Sequence, residues 1–272
     1  MILTEKNIQA NGINLSYLEE GVSNGVPLIF IHGFPFSKEM WSSQLTALSD
    51  SHRCIAYDVR GHGDSEAGTA QFSIPQFADD LFSFLDALKI DKAIVVGLSM
   101  GGYIALHAIK KNPARIAGLL LCDTQCAADT QEGRDKRKKT IAFIQKNGLE
   151  VYTEESLKNL FAPASFQLKK EEVRFIRNTI LKTKPESICH TLQALADRAE
   201  TCSVLGQINV PVLILVGKED KITSPEVAEK MYGLINKSEL KIIDSAGHLS
   251  NLENPEAFNE QAKLFLSKNF SD

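Results

Sequence analysis

One serine stands where a strand pattern gives way to a helix pattern. Ser99 lies in the pentapeptide Gly-Leu-Ser-Met-Gly at 97–101, after the apolar run 93–96 and before the helix-like run 102–108. In that context a Gly-x-Ser-x-Gly match indicates a nucleophile elbow, a sharp turn that exposes the serine Oγ. Such a turn holds the serine in a strained conformation that costs about 1–3 kcal/mol, and glycines remove the Cβ atoms that would clash there. The alternative is a chance glycine-rich turn.

A serine nucleophile needs a base within hydrogen-bond reach, and the base needs a group that fixes its tautomer. His248 follows the last predicted strand, and Asp220 follows the predicted strand before it. Both positions lie past the carboxyl end of a parallel strand, where open α/β sheets gather their ligand-binding groups. We therefore predict a catalytic triad in which Ser99 is the nucleophile, His248 the general base and Asp220 the residue that orients His248.

Other residues compete for two of these roles. Asp123 also follows a predicted strand and is an alternative partner for the histidine, and Glu219 is a weaker alternative. Five further histidines compete with His248 for the role of base: His32, His52, His62, His107 and His190. His107 falls within a helix pattern, so we interpret it as structural.

A serine nucleophile also requires two N–H donors for the oxyanion that forms on the attacked carbonyl. One donor is the residue after the nucleophile, Met100. The other should come from the loop that follows the third strand, His-Gly-Phe-Pro-Phe at 32–36. Pro35 has no N–H, so Phe34 is the predicted donor. His32 is interpreted as a residue that braces this loop.

The elements that must position these residues follow an α/β pattern. Short apolar runs alternate with helical segments, as in a mostly parallel sheet covered on both faces. Predicted strands cover residues 7–10, 13–19, 26–31, 53–57, 93–97, 116–122, 210–216 and 239–243. Predicted helices cover residues 41–48, 75–88, 102–111, 225–234 and 255–265. Asn11-Gly12 predicts a two-residue hairpin turn between the first two strands.

One long stretch breaks the alternation and has only helical periodicity. We predict that residues 124–203 form a helical cap inserted after the sixth strand, over a core of residues 1–123 and 204–272. A basic run at 134–139 within it is interpreted as a solvated helix face or, alternatively, a funnel for anionic substrates. Four phenylalanines are candidates for an apolar substrate pocket, although core packing is the commoner role. They are Phe36, Phe143, Phe161 and Phe166.

Composition and charge exclude several classes of function. The 272-residue chain is 43% hydrophobic and has a net charge of -4 and a pI near 5.9, which gives no field that attracts nucleic acid. The start of the chain lacks a signal-peptide pattern, and no run approaches the roughly 20 apolar residues of a membrane span. We therefore expect a cytoplasmic protein without membrane partners. Five cysteines without a Cys-x-x-Cys pair predict buried free thiols and no metal site.

With these motifs in hand, the chain resembles the α/β-hydrolase superfamily over nearly its whole length. The resemblance includes the run Asp-Val-Arg-Gly-His-Gly-Asp-Ser at 58–65, which is similar to a structural turn of that superfamily. It implies an eight-stranded, mostly parallel sheet with helices on both faces, and loop-fixing roles for Asp58, Arg60 and His62. The most similar groups are small esterases, enol-lactonases of the 3-oxoadipate type and cofactor-free haloperoxidases. A serine at the elbow argues against haloalkane dehalogenases and epoxide hydrolases, which resemble this fold but use aspartate there.

The expected function is hydrolysis of small-molecule carboxylic esters through an acyl-enzyme, without a cofactor. An enol-lactonase or a carbon–carbon hydrolase with the same triad is an alternative, and it requires a cationic anchor for an acid-bearing substrate. A ligand-binding receptor with slow turnover is a third. The sequence does not indicate the oligomeric state.

Overall fold

An eight-stranded sheet lies at the centre of the fold. The computed structural model describes residues 4–22 and 25–270. The strands within these ranges are β1 (Thr4–Ala10), β2 (Ile13–Glu20), β3 (Leu28–Ile31), β4 (Cys54–Tyr57), β5 (Ala93–Leu98), β6 (Ile116–Cys122), β7 (Val212–Gly217) and β8 (Ser238–Ile243). They lie in the order β1-β2-β4-β3-β5-β6-β7-β8. Strand β2 runs in the direction opposite to that of the seven other strands. The predicted eight-stranded, mostly parallel α/β fold is confirmed.

Helices cover both faces of this sheet. Within the described ranges they are α1 (Ser42–Leu48), α2 (Ile74–Ala87), α3 (Met100–Lys111), α4 (Gln131–Asn147), α5 (Leu149–Leu160), α6 (Ser165–Leu168), α7 (Lys170–Lys182), α8 (Pro185–Ala196), α9 (Pro225–Leu234), α10 (Ser250–Glu253) and α11 (Pro255–Phe270). Among the residues described, no helix combines the length and the apolar character that crossing a membrane requires.

Two prolines explain why two of the predicted strands begin too early. The predictions begin β3 at residue 26 and β7 at residue 210, whereas the strands begin at Leu28 and Val212. Pro27 and Pro211 precede these residues and have no N–H to donate to a neighbouring strand. Ladder pairing therefore starts after each proline. The Asn11-Gly12 turn is confirmed, with positive φ at both residues.

The sheet separates two apolar clusters, because successive strand residues point to opposite faces. On β5, Val95 joins the cluster that contains the buried residues of α2 and α3. Ile94 and Val96 join the other cluster, which contains buried residues of α1 and α11. All three side chains are fully buried. Burial on both faces fixes the strand that leads to Ser99.

The helices α4–α8 all lie between β6 and β7, which are neighbouring strands. The chain therefore leaves and re-enters the sheet at adjacent places, and the two connections meet. Cys126 and Cys202 form a disulfide there, and the Thr201 N–H donates to the Cys126 carbonyl at 2.8 Å.

The expectation that all five cysteines are free thiols is therefore wrong for Cys126 and Cys202, and it holds for Cys54, Cys122 and Cys189. The two cysteines are 76 residues apart in the sequence, so their pairing becomes evident only from the order of the strands in the sheet. Disulfides are rare in the cytosol, so this bond weighs against the predicted cytoplasmic location.

The disulfide predicts a redox-dependent stability. Reducing it, or replacing Cys126→Ser, should lower the free energy of unfolding by about 2–4 kcal/mol, since the unfolded chain gains freedom. Urea unfolding with and without dithiothreitol measures the difference. In the Cys126→Ser variant, dithiothreitol should have no further effect. Equal stability of the oxidised and reduced wild-type protein would contradict the prediction.

Candidate active site

Ser99 sits at the apex of the turn between β5 and α3. Its backbone has φ +52° and ψ -109°, a conformation that non-glycine residues rarely adopt. The Ser99 N–H donates to the Cys122 carbonyl at 2.9 Å, and the Thr124 hydroxyl donates to the Ser99 carbonyl at 2.8 Å. Both partners belong to the end of β6 and the residues after it. The neighbouring strand therefore holds the strained turn on both sides of the serine.

Two glycines allow the chain to pass through this turn. A Cβ on Gly97 would lie 2.4 Å from the carbonyl of Gly101, and a Cβ on Gly101 would lie 2.2 Å from the carbonyl oxygen of Ile31. Neither backbone group can move without breaking the sheet or the first turn of α3. Any side chain at these positions would therefore displace Ser99.

His248 and Asp220 form the hydrogen-bonded pair that the sequence predicts. The distance from His248 Nδ1 to Asp220 Oδ2 is 2.8 Å, and both side chains are almost completely buried. Asp220 Oδ1 accepts from the N–H groups of Ile222 and Thr223 at 2.8 and 3.0 Å, and Oδ2 also accepts from the Thr223 hydroxyl at 2.7 Å. With Nδ1–H directed at the carboxylate, Nε2 is the ring nitrogen that can accept a proton.

The pair shifts both pKa values in the direction that strengthens it. Burial favours the neutral acid of Asp220, but the charge of His248 and the donors of Thr223 outweigh it, and the pKa of Asp220 falls to about 2. Burial likewise favours neutral His248, but the Asp220 carboxylate outweighs it and raises the pKa of His248. Asp220 is therefore ionised at neutral pH, and the histidinium is stabilised when it forms.

Asp123, the alternative partner, has other contacts. Its carboxylate accepts from the Gly217 N–H at 2.8 Å and from the Ser250 hydroxyl at 2.5 Å. Complete burial and the nearby Asp220 charge raise the pKa of Asp123 to about 8. Asp123 thus ties the ends of β6 and β7 to α10, whereas Asp220 contacts the histidine. The Glu219 side chain is exposed.

The loop after β3 is braced by His32, as the sequence predicts. His32 Nδ1 donates to the Gly33 carbonyl at 2.8 Å, and Nε2 accepts from the Val59 N–H at 2.9 Å. Burial lowers the pKa of His32 to about 3, so the ring is neutral and bridges the two loops. Phe34 of this loop and Met100 at the start of α3 line the same cavity as Ser99. The N–H of Met100 is at the first position of a helix, where no intrahelical acceptor exists.

The loop-fixing roles expected of the 58–65 turn are also observed. Asp58 accepts from the N–H and Nζ of Lys38, each at 2.7 Å, and Arg60 forms a bidentate pair with Asp80 at 2.6 and 2.8 Å. His62 is buried beside the Arg60 carbonyl at 3.1 Å, and burial lowers the pKa of its ring to about 4. The remaining histidines do not line the cavity: His52, His107 and His190.

A cavity of about 420 Å³ opens beside Ser99 and His248. Its floor is the turn at Ser99 and the loop after β3, and its walls come from α4, α5 and α8. The aromatic side chains that line it are Phe34, Tyr103 and Tyr152. The helices between β6 and β7 therefore supply most of the surface that a bound molecule would touch.

None of the four phenylalanines predicted for the pocket lines this cavity. Phe36 is fully buried in the same apolar cluster as Leu98, and Phe161 is buried and pairs with Phe166 at 6.2 Å between ring centroids. Phe143 is 40% exposed. Helical periodicity does not indicate which face of a helix points toward the sheet, so it did not identify the aromatic residues that line this cavity.

Cationic side chains outnumber anionic ones in the lining of the cavity. Asp129 is held between Arg137 at 2.5 Å and Arg198 at 2.6 Å. Lys136 and Lys221 also line the cavity and are exposed. The lining thus contains three cationic side chains and one anionic side chain, although the whole chain is acidic. For the part of the chain that the structure describes, no three His, Cys, Asp or Glu side chains are grouped to hold a metal ion.

The sequence analysis did not identify two residues of the site. Thr223 donates to the Asp220 carboxylate, and Glu253 accepts from the N–H groups on both sides of His248. Each lies within five residues of a predicted site residue, so proximity was a usable signal. The hydrogen bonds of these two residues could not be predicted from the sequence, because they depend on the conformation of the loops.

Comparison with known proteins agrees with this fold. A family model described as "alpha/beta hydrolase fold" matches residues 26–255. The chain is 26% identical to 3-oxoadipate enol-lactonase 2 of Acinetobacter baylyi, over 96% of each protein. The structure superposes on a thermophilic esterase from Thermogutta terrifontis with a TM-score of 0.93, 32% identity and coverage of 98% of this chain and 100% of that chain. It superposes on the enol-lactonase from Burkholderia xenovorans with a TM-score of 0.89, 27% identity and coverage of 96% and 100%. The chain belongs to the α/β-hydrolase fold family.

Proposed function

We propose that this hydrolase cleaves carboxylic esters of small molecules, with Ser99 as nucleophile. The observation that carries the proposal is the buried His248–Asp220 pair at 2.8 Å, which faces the cavity into which the strained turn at Ser99 projects. The esterase from Thermogutta terrifontis and the enol-lactonases among the similar proteins support it. Esterases and enol-lactonases both cleave a bond to an ester carbonyl.

The first half-reaction acylates the serine. As His248 Nε2 takes the hydroxyl proton, Ser99 Oγ forms a bond to the substrate carbonyl carbon, and negative charge develops on the carbonyl oxygen. The N–H groups of Phe34 and Met100 are the proposed donors to that oxygen. When the tetrahedral intermediate collapses, the carbon–oxygen bond to the alcohol breaks and His248 returns the proton to the leaving group.

The second half-reaction repeats these steps with water. His248 Nε2 accepts a proton from water as its oxygen bonds to the acyl carbon, and the proton then passes to Ser99 Oγ as the acid leaves. Throughout both halves Asp220 remains ionised, because its pKa is held at about 2. We also propose that residues 124–203 act as the cap that selects the substrate, since α4, α5 and α8 line the cavity.

The cationic lining favours a second, narrower candidate, an ester or lactone that carries its own acid group. Lys136, Arg137 and Lys221 face the cavity with only Asp129 as an opposing charge. A carboxylate on the substrate would be attracted to these cations while its ester carbonyl meets Ser99. The same chemistry applies to an enol-lactone, in which the leaving alcohol stays attached to the acid.

Replacing the nucleophile tests the main proposal. Ser99→Ala should lower kcat/KM for a short p-nitrophenyl ester by about 10⁴-fold or more, because the variant lacks the proposed nucleophile. Release of p-nitrophenol measures the rate. Ser43→Ala, the same change at an exposed serine, should have no effect. If Ser99→Ala keeps more than a small fraction of the activity, the proposal is wrong, and wild-type turnover far below about 10 s⁻¹ would favour a receptor.

The raised pKa of His248 predicts the pH dependence. A general base works in its neutral form, so kcat/KM should rise with pH through an apparent pKa above the ordinary histidine value of 6.5. Asp220→Asn removes the negative charge that raises the pKa of His248. The rising limb of the pH profile should therefore move to lower pH, while kcat/KM falls by about 10⁴-fold. Asp244→Asn, at a carboxylate whose side chain is 73% exposed, should leave the limb in place. An unmoved limb in Asp220→Asn contradicts the assignment.

Charge-removing variants test the narrower candidate. With p-nitrophenyl hydrogen adipate and its methyl ester, the double variant Lys136→Gln, Lys221→Gln should lose about 10-fold in kcat/KM for the acid, given about 0.5–1 kcal/mol per exposed charge pair. Values for the methyl ester should change less than about two-fold. Lys138→Gln, at an exposed lysine of the same helix that does not line the cavity, is the matched control. Equal losses for both substrates contradict charge recognition.

A further inference from the structure

Glu253, at the end of α10, is a buried carboxyl group close to His248. Glu253 is only 2% exposed. Both carboxylate oxygens accept hydrogen bonds, and all four donors are backbone N–H groups or a hydroxyl. A carboxylate that receives donors at both oxygens has a role that a neutral side chain of similar size cannot fill.

The two oxygens bind different parts of the chain. Oε1 accepts from the N–H groups of Gly247 at 2.8 Å and Leu249 at 3.4 Å, which flank His248. Oε2 accepts from the Ala162 N–H at 2.8 Å and the Ser165 hydroxyl at 2.6 Å, in the connection between α5 and α6. One carboxylate therefore joins the histidine loop to the helical segment that covers the cavity.

The backbones of these two parts are also in direct contact. The His248 N–H donates to the Leu160 carbonyl at 2.9 Å, and a Cβ on Gly247 would lie 2.7 Å from the Ala162 nitrogen. Leu160 itself lines the cavity. A shift of residues 160–165 would therefore move the histidine loop and the cavity wall together.

We propose that Glu253 is a positioning residue, which sets the place of His248 by tying the histidine loop to residues 160–165 of the helical segment. The proposal rests on the role of His248 as general base. It assigns the helical segment a second task besides lining the cavity, because the segment holds the base at its distance from Ser99. Misplacement of a catalytic group by about 1 Å can cost about 10²-fold in rate.

The charge of Glu253 gives this role a signature that packing alone would lack. Burial lowers the pKa of His248, but three acidic side chains raise it: Asp220 most strongly, then Asp123 and Glu253. The cationic side chain of Lys221 lines the same cavity as His248. Glu253→Gln removes one of the carboxylates, so the pKa of His248 should fall. A glutamine keeps one acceptor oxygen and places an NH₂ group at the other position, so the backbone N–H donors at that position lose their acceptor.

The test compares Glu253→Gln with Glu256→Gln, the same change at an exposed residue of α11. In Glu253→Gln, kcat/KM for a p-nitrophenyl ester should fall about 10- to 100-fold, and the rising limb of the pH profile should move to lower pH. Hydrogen exchange should accelerate at residues 160–166 and 246–250 and stay unchanged in β3 and β5. Glu256→Gln should resemble the wild-type protein in each measurement.

Ser165→Ala separates the link from the charge. This variant removes one donor to Glu253 but keeps the carboxylate, so exchange should accelerate modestly in both segments while the pH limb stays in place. Faster exchange confined to residues 160–166 would overturn the proposal, even if Glu253→Gln gave no folded protein. Unchanged kcat/KM and exchange in Glu253→Gln would also overturn it. A failure of the proposed function can be distinguished from a failure of this proposal. The activity of Ser99→Ala tests the proposed function, whereas the exchange measurements test only the link through Glu253.

Discussion

The turn at Ser99 depends on backbone packing with no side chain between its parts. Gly101 lies against the carbonyl of Ile31, and Gly97 lies against Gly101, each at a distance that excludes a Cβ. The hydrogen bonds of Ser99 to the end of β6 then hold a backbone that costs about 1–3 kcal/mol in isolation. Because three neighbouring strands converge on this turn, the rest of the site is built around it. The loop after β3 on one side and the segment after β6 on the other both take their places from these contacts.

Carboxylates in this site differ in role because their hydrogen-bond partners differ. Asp220 faces an imidazole and three donors and has a pKa of about 2, whereas Asp123 is fully buried near a like charge and has a pKa of about 8. Glu253 faces only backbone and hydroxyl donors and connects two segments. All three lie close enough to raise the pKa of His248. The histidine therefore has one carboxylate that orients it and two that hold its surroundings.

The sequence predicted the sheet, the elbow and the hydrogen-bonded pair because each depends on short-range patterns. Ser99 is marked by its glycines, and Asp220 and His248 by the strands they follow. The predictions were wrong or silent where distant segments meet. The Cys126–Cys202 bond depends on β6 and β7 being neighbours. The choice of Tyr103 and Tyr152 over Phe143 depends on the rotation of helices over the sheet, and the partners of Glu253 depend on where α5 ends.

The proposed chemistry depends on a single hydroxyl, that of Ser99, whose reactivity comes from His248. The most direct measurement is to treat the protein with a fluorophosphonate ester and identify the modified residue by peptide mass spectrometry. The predicted result is one adduct, on Ser99, whose rate of formation rises with pH through the pKa of His248 and falls sharply in His248→Ala. An adduct on another residue, or labelling of Ser99 at the same rate in His248→Ala, would contradict the account.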